Sequence, residues 1–274
     1  MTMAWAATAA LLLAGCGSSA PARSGRTARP STTPSAASSA PAAQTSAAPA
    51  STSDGPWSVV ALGDSIPSGY NCTCTPYPKL TAALLTGPVG RPVSTRDDAV
   101  AGYTTNDVIR QLTADQRVIG DVRAADLVEI QIGANDVSYS AACGTRVACY
   151  SDDVPQLDSN LRTIVRRVHA LTSGLVVLLD YWSVWLGGRY AKARGEEYVD
   201  AAELVTDEVN TTIRIVAAHT GSAYVDLRAA FKGPDYRDDE TGYLAADGMH
   251  PNAAGHRQIA AALVAVVTAH LHLP

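Results

Sequence analysis

The sequence predicts an α/β domain built on a five-stranded parallel sheet covered by helices on both faces. Two observations carry this. Short apolar runs of strand length alternate along the chain with longer amphipathic stretches, the pattern of right-handed crossover units. Aromatic residues make up only 6% of the 274 residues, with a single Phe, against 47% hydrophobic residues overall. The core is therefore built mainly of Val, Leu, Ile and Ala, which suit parallel strands and their covering helices.

Each element can be read in order. Trp57 to Leu62 (WSVVAL), ended by Gly63, reads as the first buried strand, and Tyr77 to Leu85 as the helix after it. A weaker second strand near Val93 to Thr95 precedes Thr104 and Thr105, good N-cap residues for a helix through Val108, Ile109 and Leu112. Leu127 to Ile132 is the third strand. Leu157 to Leu171 has apolar residues at 157, 161, 164, 165 and 168, one face of a helix. Leu175 to Leu179 reads as the fourth strand, Tyr198 to Ala218 as a helix, Ala223 to Leu227 as the fifth strand, and Ile259 to Leu271 as an Ala- and Val-rich closing helix.

The first 56 residues read differently. Ala4 to Ala14 is apolar but short of the ~20 residues a membrane-spanning helix needs. It runs into Leu13-Ala14-Gly15-Cys16, which looks like a bacterial lipobox, although no Lys or Arg precedes the run. The expectation is a lipoprotein signal over 1–16, with Cys16 acylated and the protein exported and membrane-anchored at the cell surface. Residues 17–56 are almost entirely Ser, Ala, Thr and Pro, a composition that reads as a disordered tether with a reach of about 35 Å. The folded domain is expected over 57–274.

Charge and cysteines narrow the class further. With 21 basic and 26 acidic residues, a net charge of -5 and no long like-charge run, the chain carries no footprint for nucleic acid. Besides Cys16 there are Cys72, Cys74, Cys143 and Cys149, an even number behind an export signal, so two disulfides are expected with three connectivities open. The spacings weakly resemble metal knuckles, but no His lies near either pair in sequence, so disulfides are preferred and no metal is expected.

In a parallel sheet, ligands bind beyond the carboxyl ends of the strands, so polar residues just after strands are the site candidates. Ser65 follows the first strand in Gly63-Asp64-Ser65, where its hydroxyl can project into the crevice; a turn or helix cap is the competing reading. The pattern Gly-x-Ser-x-Gly is absent, which disfavours an ordinary α/β-hydrolase. Gly102 follows the second strand with an open backbone N–H, a plain loop glycine being the competing reading. Asn135 follows the third, with a neutral amide donor suited to an oxyanion or to a local turn. In Asp247-Gly248-Met249-His250 a carboxylate three residues ahead of a His can bond Nδ1–H and leave Nε2 facing outward; a surface Asp and a helix-capping His are the competing reading.

In this order, Gly63-Asp64-Ser65, Gly102, Gly133-Ala134-Asn135-Asp136 and Asp247-Gly248-Met249-His250-Pro251-Asn252 resemble the four blocks of the SGNH, or GDSL, hydrolase family, over about residues 57 to 260. Ile66 stands where the family name has Leu, and Ala134 where many members carry a second Gly. The resemblance implies a flavodoxin-like three-layer α/β/α sandwich and a serine ester hydrolase that needs no cofactor. It implies Ser65 as nucleophile, Asp247 and His250 as its partners, and the Ser65 N–H, Gly102 N–H and Asn135 amide as oxyanion donors. The substrate expected is a small-molecule, lipid or glycan acyl ester, handled by a monomer. Acyl transfer by the same residues and a silent binding lipoprotein are the alternatives. Trp182 and Trp185, after the fourth strand, are expected to flank the crevice as an acyl-chain wall or sugar platform, with core packing as the alternative. Both cysteine loops are expected to rim the site.

Overall fold

Seven residues, Trp57–Gly63 (β1), run as a strand with all but Ser58 buried, which is why Val59 to Leu62 is an unbroken apolar run rather than an alternation. The computed structural model describes residues 55–273; the expected signal, Cys16 and nearly all of the expected tether lie outside the described residues. The other strands are β2 (Val93–Asp97), β3 (Leu127–Gln131), β4 (Leu175–Leu179) and β5 (Ala223–Val225). They form one all-parallel sheet in the order β2-β1-β3-β4-β5. This is the flavodoxin-like order, and its switch point lies between β1 and β3, where the chain reverses the direction in which it adds strands.

The covering helices are α1 (Tyr77–Val89), α2 (Thr105–Ala114), α3 (Gln116–Arg123), α4 (Ala148–Ser151), α5 (Val154–Leu171), α6 (Gly188–Lys192), α7 (Glu196–Thr220), α8 (Leu227–Lys232) and α9 (Ala253–Leu271). Helix α1 packs on α9, and α5 packs on α2 and α7, giving the three layers. The Asp107 carboxylate accepts from the Thr104 N–H and hydroxyl and so closes the start of α2. Among the described residues no helix is long and apolar enough to cross a membrane.

Three departures from the sequence reading have local causes. Helix α3 is a separate element because the Asp115 side chain accepts from Arg117 and Val118 N–H and restarts the helix. Strand β5 stops at Val225 rather than Leu227, since Asp226 caps Ala229 N–H and Asp180 accepts Leu227 N–H, turning the chain into α8. Helix α9 starts at Ala253 rather than Ile259, because the Asn252 side chain accepts from Ala254 and Gly255 N–H.

Candidate active site

The turn after β1 is stapled to the end of β3. Asp64 N–H donates to Gln131 O at 3.2 Å, and a Cβ on Gly63 would lie 2.0 Å from that same oxygen at φ +153, so only glycine lets the two strand ends approach this closely. Asp64 is buried. Its Oδ1 accepts Ile66 N–H at 2.9 Å and its Oδ2 the Tyr181 hydroxyl at 2.7 Å. Burial pushes its carboxyl up to about 6, against those two hydrogen bonds. Ser65 is left half-buried at the head of this turn, with its carbonyl taken by Tyr70 N–H at 3.0 Å and the Ser68 hydroxyl at 3.0 Å.

The second loop lies between a 3₁₀ turn at Glu240–Tyr243 and α9. An antiparallel bridge between Leu244 and Pro251, together with Ala245 N–H to His250 O at 2.8 Å, folds it into a tight loop. Gly187 N–H donates to Gly248 O at 2.8 Å, fastening it to the segment before α6. The outcome is a chain of contacts across the crevice: His250 Nε2 lies 2.9 Å from Ser65 Oγ, and His250 Nδ1 lies 2.7 Å from Asp247 Oδ2. Asp247 Oδ1 accepts Met249 and His250 N–H, both at 3.0 Å, and Oδ2 also accepts Asn71 Nδ2 at 2.5 Å. Partial burial raises the Asp247 carboxyl, but these donors outweigh it and hold the group down at about 2.

The three donors expected to face an oxyanion sit after β1, β2 and β3. Among the described residues, neither the Ser65 nor the Gly102 N–H has a hydrogen-bond partner. Asn135 Nδ2 donates one proton to Tyr103 O at 2.8 Å, which sets the amide beside the Tyr103–Thr104 peptide, one residue after Gly102, and leaves its second N–H free. Asp136 accepts the Thr105 N–H at 3.0 Å and its hydroxyl at 2.5 Å, tying the turn after β3 to the start of α2.

Trp182 and Trp185 correct an expectation. They are 1% and 0% exposed. Trp182 stacks on Phe231, and Trp185 packs among Tyr139, Tyr150 and Tyr198 while donating Nε1–H to Val137 O at 2.9 Å. Both belong to the core and neither flanks Ser65. The groups beside the His are Tyr70, half exposed with its ring edge-on to His250 at 5.0 Å, and the exposed Met249.

The cysteines pair as Cys72–Cys74 and Cys143–Cys149. The first pair adjoins Asn71 and so borders the site. The second loop instead contacts α7, through Thr145 to Glu197 and Ser151 to Glu208. The fold also brings His256 to Cys72 and Cys74, with ligand atoms within 4.8 Å of one another, a proximity that sequence spacing hides. It is a poor metal site. The sulfurs are joined, Tyr77 N–H donates to His256 Nδ1 at 3.2 Å, and the ring proton is thereby left on Nε2. Burial pushes His256 down to about 4, so it is neutral.

Residues 61–258 match the family model described as the GDSL-like lipase/acylhydrolase family. Among solved structures, the chain is similar to a lipase from a goat rumen metagenome (19% identity, 77% of this chain and 97% of that one, TM-score 0.61). It is also similar to an acetylxylan esterase from Geobacillus stearothermophilus (20% identity, 77% and 94%, TM-score 0.56) and to an extracellular lipase from Streptomyces rimosus (25% identity, 78% and 99%, TM-score 0.58). No curated protein matches the chain.

Proposed function

The chain belongs to the GDSL-like lipase/acylhydrolase family and is a carboxylic ester hydrolase, and on that premise we propose that it cleaves acyl esters through an acyl-enzyme on Ser65. The observation that carries this is the continuous line Ser65 Oγ, His250 Nε2, His250 Nδ1, Asp247 Oδ2, with spacings of 2.9 and 2.7 Å. As Ser65 Oγ attacks the acyl carbon, His250 Nε2 takes its proton, and ionised Asp247 holds the ring and stabilises the imidazolium. The negative charge moves to the carbonyl oxygen, where the N–H groups of Ser65 and Gly102 and the Asn135 amide receive it. The C–O bond to the alcohol breaks as His250 returns the proton to the leaving oxygen. Water then attacks the acyl-enzyme by the same route in reverse and releases the acid.

Hydrolysis of a p-nitrophenyl ester series, acetate to palmitate, by the protein and its Ser65→Ala variant tests this reading. Turnover lost in the variant at unchanged thermal stability supports it, and turnover retained overturns it. The chain-length profile reads the acyl site, whose mouth we assign to Tyr70 and Met249.

We propose further that residues 1–16 direct export and that Cys16 carries the lipid anchor, with 17–56 as the tether and 57–274 as the catalytic domain. The support is the Leu13-Ala14-Gly15-Cys16 motif and the Ser/Ala/Thr/Pro composition behind it. The mass of the mature N-terminal peptide tests it: a diacylglyceryl Cys16 is expected, and an unmodified terminus elsewhere refutes the anchor.

A further inference from the structure

We propose that Asn71 is a positioning residue for the Asp247–His250 pair, held in place by the ring that Cys72 and Cys74 close. The proposal rests on the reading of Ser65, His250 and Asp247 given above. Asn71 reaches Asp247 across 176 residues of sequence and donates Nδ2–H to Oδ2, the same oxygen that faces His250 Nδ1. The other carboxylate oxygen is held by the loop's own N–H groups, so among the described residues Asn71 is the one side chain from outside the loop that fixes its orientation. A neutral donor at this point keeps the carboxylate ionised and stops it turning away from the imidazole.

The loop carrying Asn71 is built to present it. It begins at Ser65, whose carbonyl accepts Tyr70 N–H, and Cys72 N–H turns back to Gly69 O at 3.1 Å. Asn71 itself sits at φ +60, a left-handed conformation that Asn tolerates better than most residues. The bond from Cys72 to Cys74, with Cα atoms 5.1 Å apart, pins the chain immediately after it. The nucleophile and the amide that orients its acid–base partner thus share one short segment.

The test compares Asn71→Ala, Asn71→Asp, the double variant Cys72→Ser/Cys74→Ser and that pair combined with Asn71→Ala, with Ser65→Ala as a control. With p-nitrophenyl acetate at neutral pH, Asn71→Ala is expected to lower kcat about tenfold with KM nearly unchanged. Asn71→Asp sets a second carboxylate against Asp247 and is expected to lower kcat further, and the serine pair to fall to the level of Asn71→Ala. Removing both the ring and the amide is expected to cost no more than removing the amide. The proton resonance of His250 Nδ1–H is expected to move in Asn71→Ala at unchanged thermal stability. Full kcat in both Asn71 variants, or an Asn71→Asp no worse than Asn71→Ala, overturns the proposal while Ser65→Ala remains dead. Turnover in Ser65→Ala instead removes the reading beneath it.

Discussion

The Tyr181 hydroxyl donates to Asp64 Oδ2 at 2.7 Å in a wholly buried pair that joins the end of β4 to the turn carrying Ser65. Tyr181 is itself set by Asn210 on α7, whose Oδ1 accepts its N–H at 3.2 Å and whose Nδ2 donates to its carbonyl at 2.7 Å. The serine turn is thereby located by three separate elements, β3, β4 and α7. A hydroxyl presented from a turn held this way loses little freedom when a substrate arrives.

Asp64 also carries a cost that pH reveals. Its carboxyl stands at about 6 in the folded protein, against 3.8 for the ordinary group. The folded state therefore keeps a proton that the unfolded chain releases, so the stability linked to this group is present below pH 3.8 and lost as pH rises through 6. The loss amounts to on the order of 3 kcal/mol. Asp64→Asn keeps an oxygen for Ile66 N–H and a polar partner for Tyr181. Urea denaturation is expected to find the variant more stable than the parent near neutral pH and equal to it near pH 4. Parallel stability curves over that span refute the assignment.

Asp247→Asn is expected to leave the fold intact and lower kcat by roughly 10³ to 10⁴. If its carbonyl oxygen keeps the Met249 and His250 N–H bonds, its NH2 must face His250 Nδ1, which then becomes the acceptor. The ring proton moves to Nε2, and the nitrogen facing Ser65 is no longer a base. The new NH2 also confronts the Asn71 donor. Steady-state kinetics beside a thermal melt checks this, and a kcat within tenfold of the parent would mean Asp247 does not set the tautomer.

Strands β1 and β4 were legible because burial on both faces leaves an apolar run, and β3 from Leu127, Val128 and Ile130 although the buried Glu129 and Gln131 interrupt its run. The placement of Ser65, Gly102 and Asn135 at one end of the sheet was legible because each lies in the loop that follows a strand, and strand ends converge in a parallel sheet. That same reasoning misplaced Trp182 and Trp185: position after β4 says which end of the sheet a residue occupies, not whether its side chain points to the crevice or, as here, to the core. Asn71, Tyr70 and His256 were illegible for a different reason. Their partners lie more than 170 residues away, and nothing in local spacing records a contact closed only by the fold.

Gly248 lies between Asp247 and His250 at φ +72, and a Cβ there would sit 2.4 Å from Tyr190 Cβ. Substitution must strain the backbone by about 1 kcal/mol and displace the loop as well. Gly248→Ala is therefore expected to lower the melting temperature and kcat together. Pairing it with Tyr190→Ala relieves the contact but not the backbone strain, so the pair is expected to recover part of the stability. Full activity in Gly248→Ala would mean the loop tolerates movement that the Ser65–His250 geometry forbids.

Asn135 and Gly102 separate the loss of a donor from strain in its neighbourhood. Asn135→Ala removes an N–H outright and is expected to lower kcat by about 10² to 10³ while KM stays close to its parent value. Gly102→Ala keeps its N–H. Its new Cβ meets no atom within 4 Å, so the penalty is only the left-handed backbone at φ +85, about 1 kcal/mol of stability. Its kcat is expected to fall by less than about tenfold, because the donor shifts without being lost. If Asn135→Ala costs no more than Gly102→Ala, the amide does not bear oxyanion charge and serves only to hold Tyr103 O.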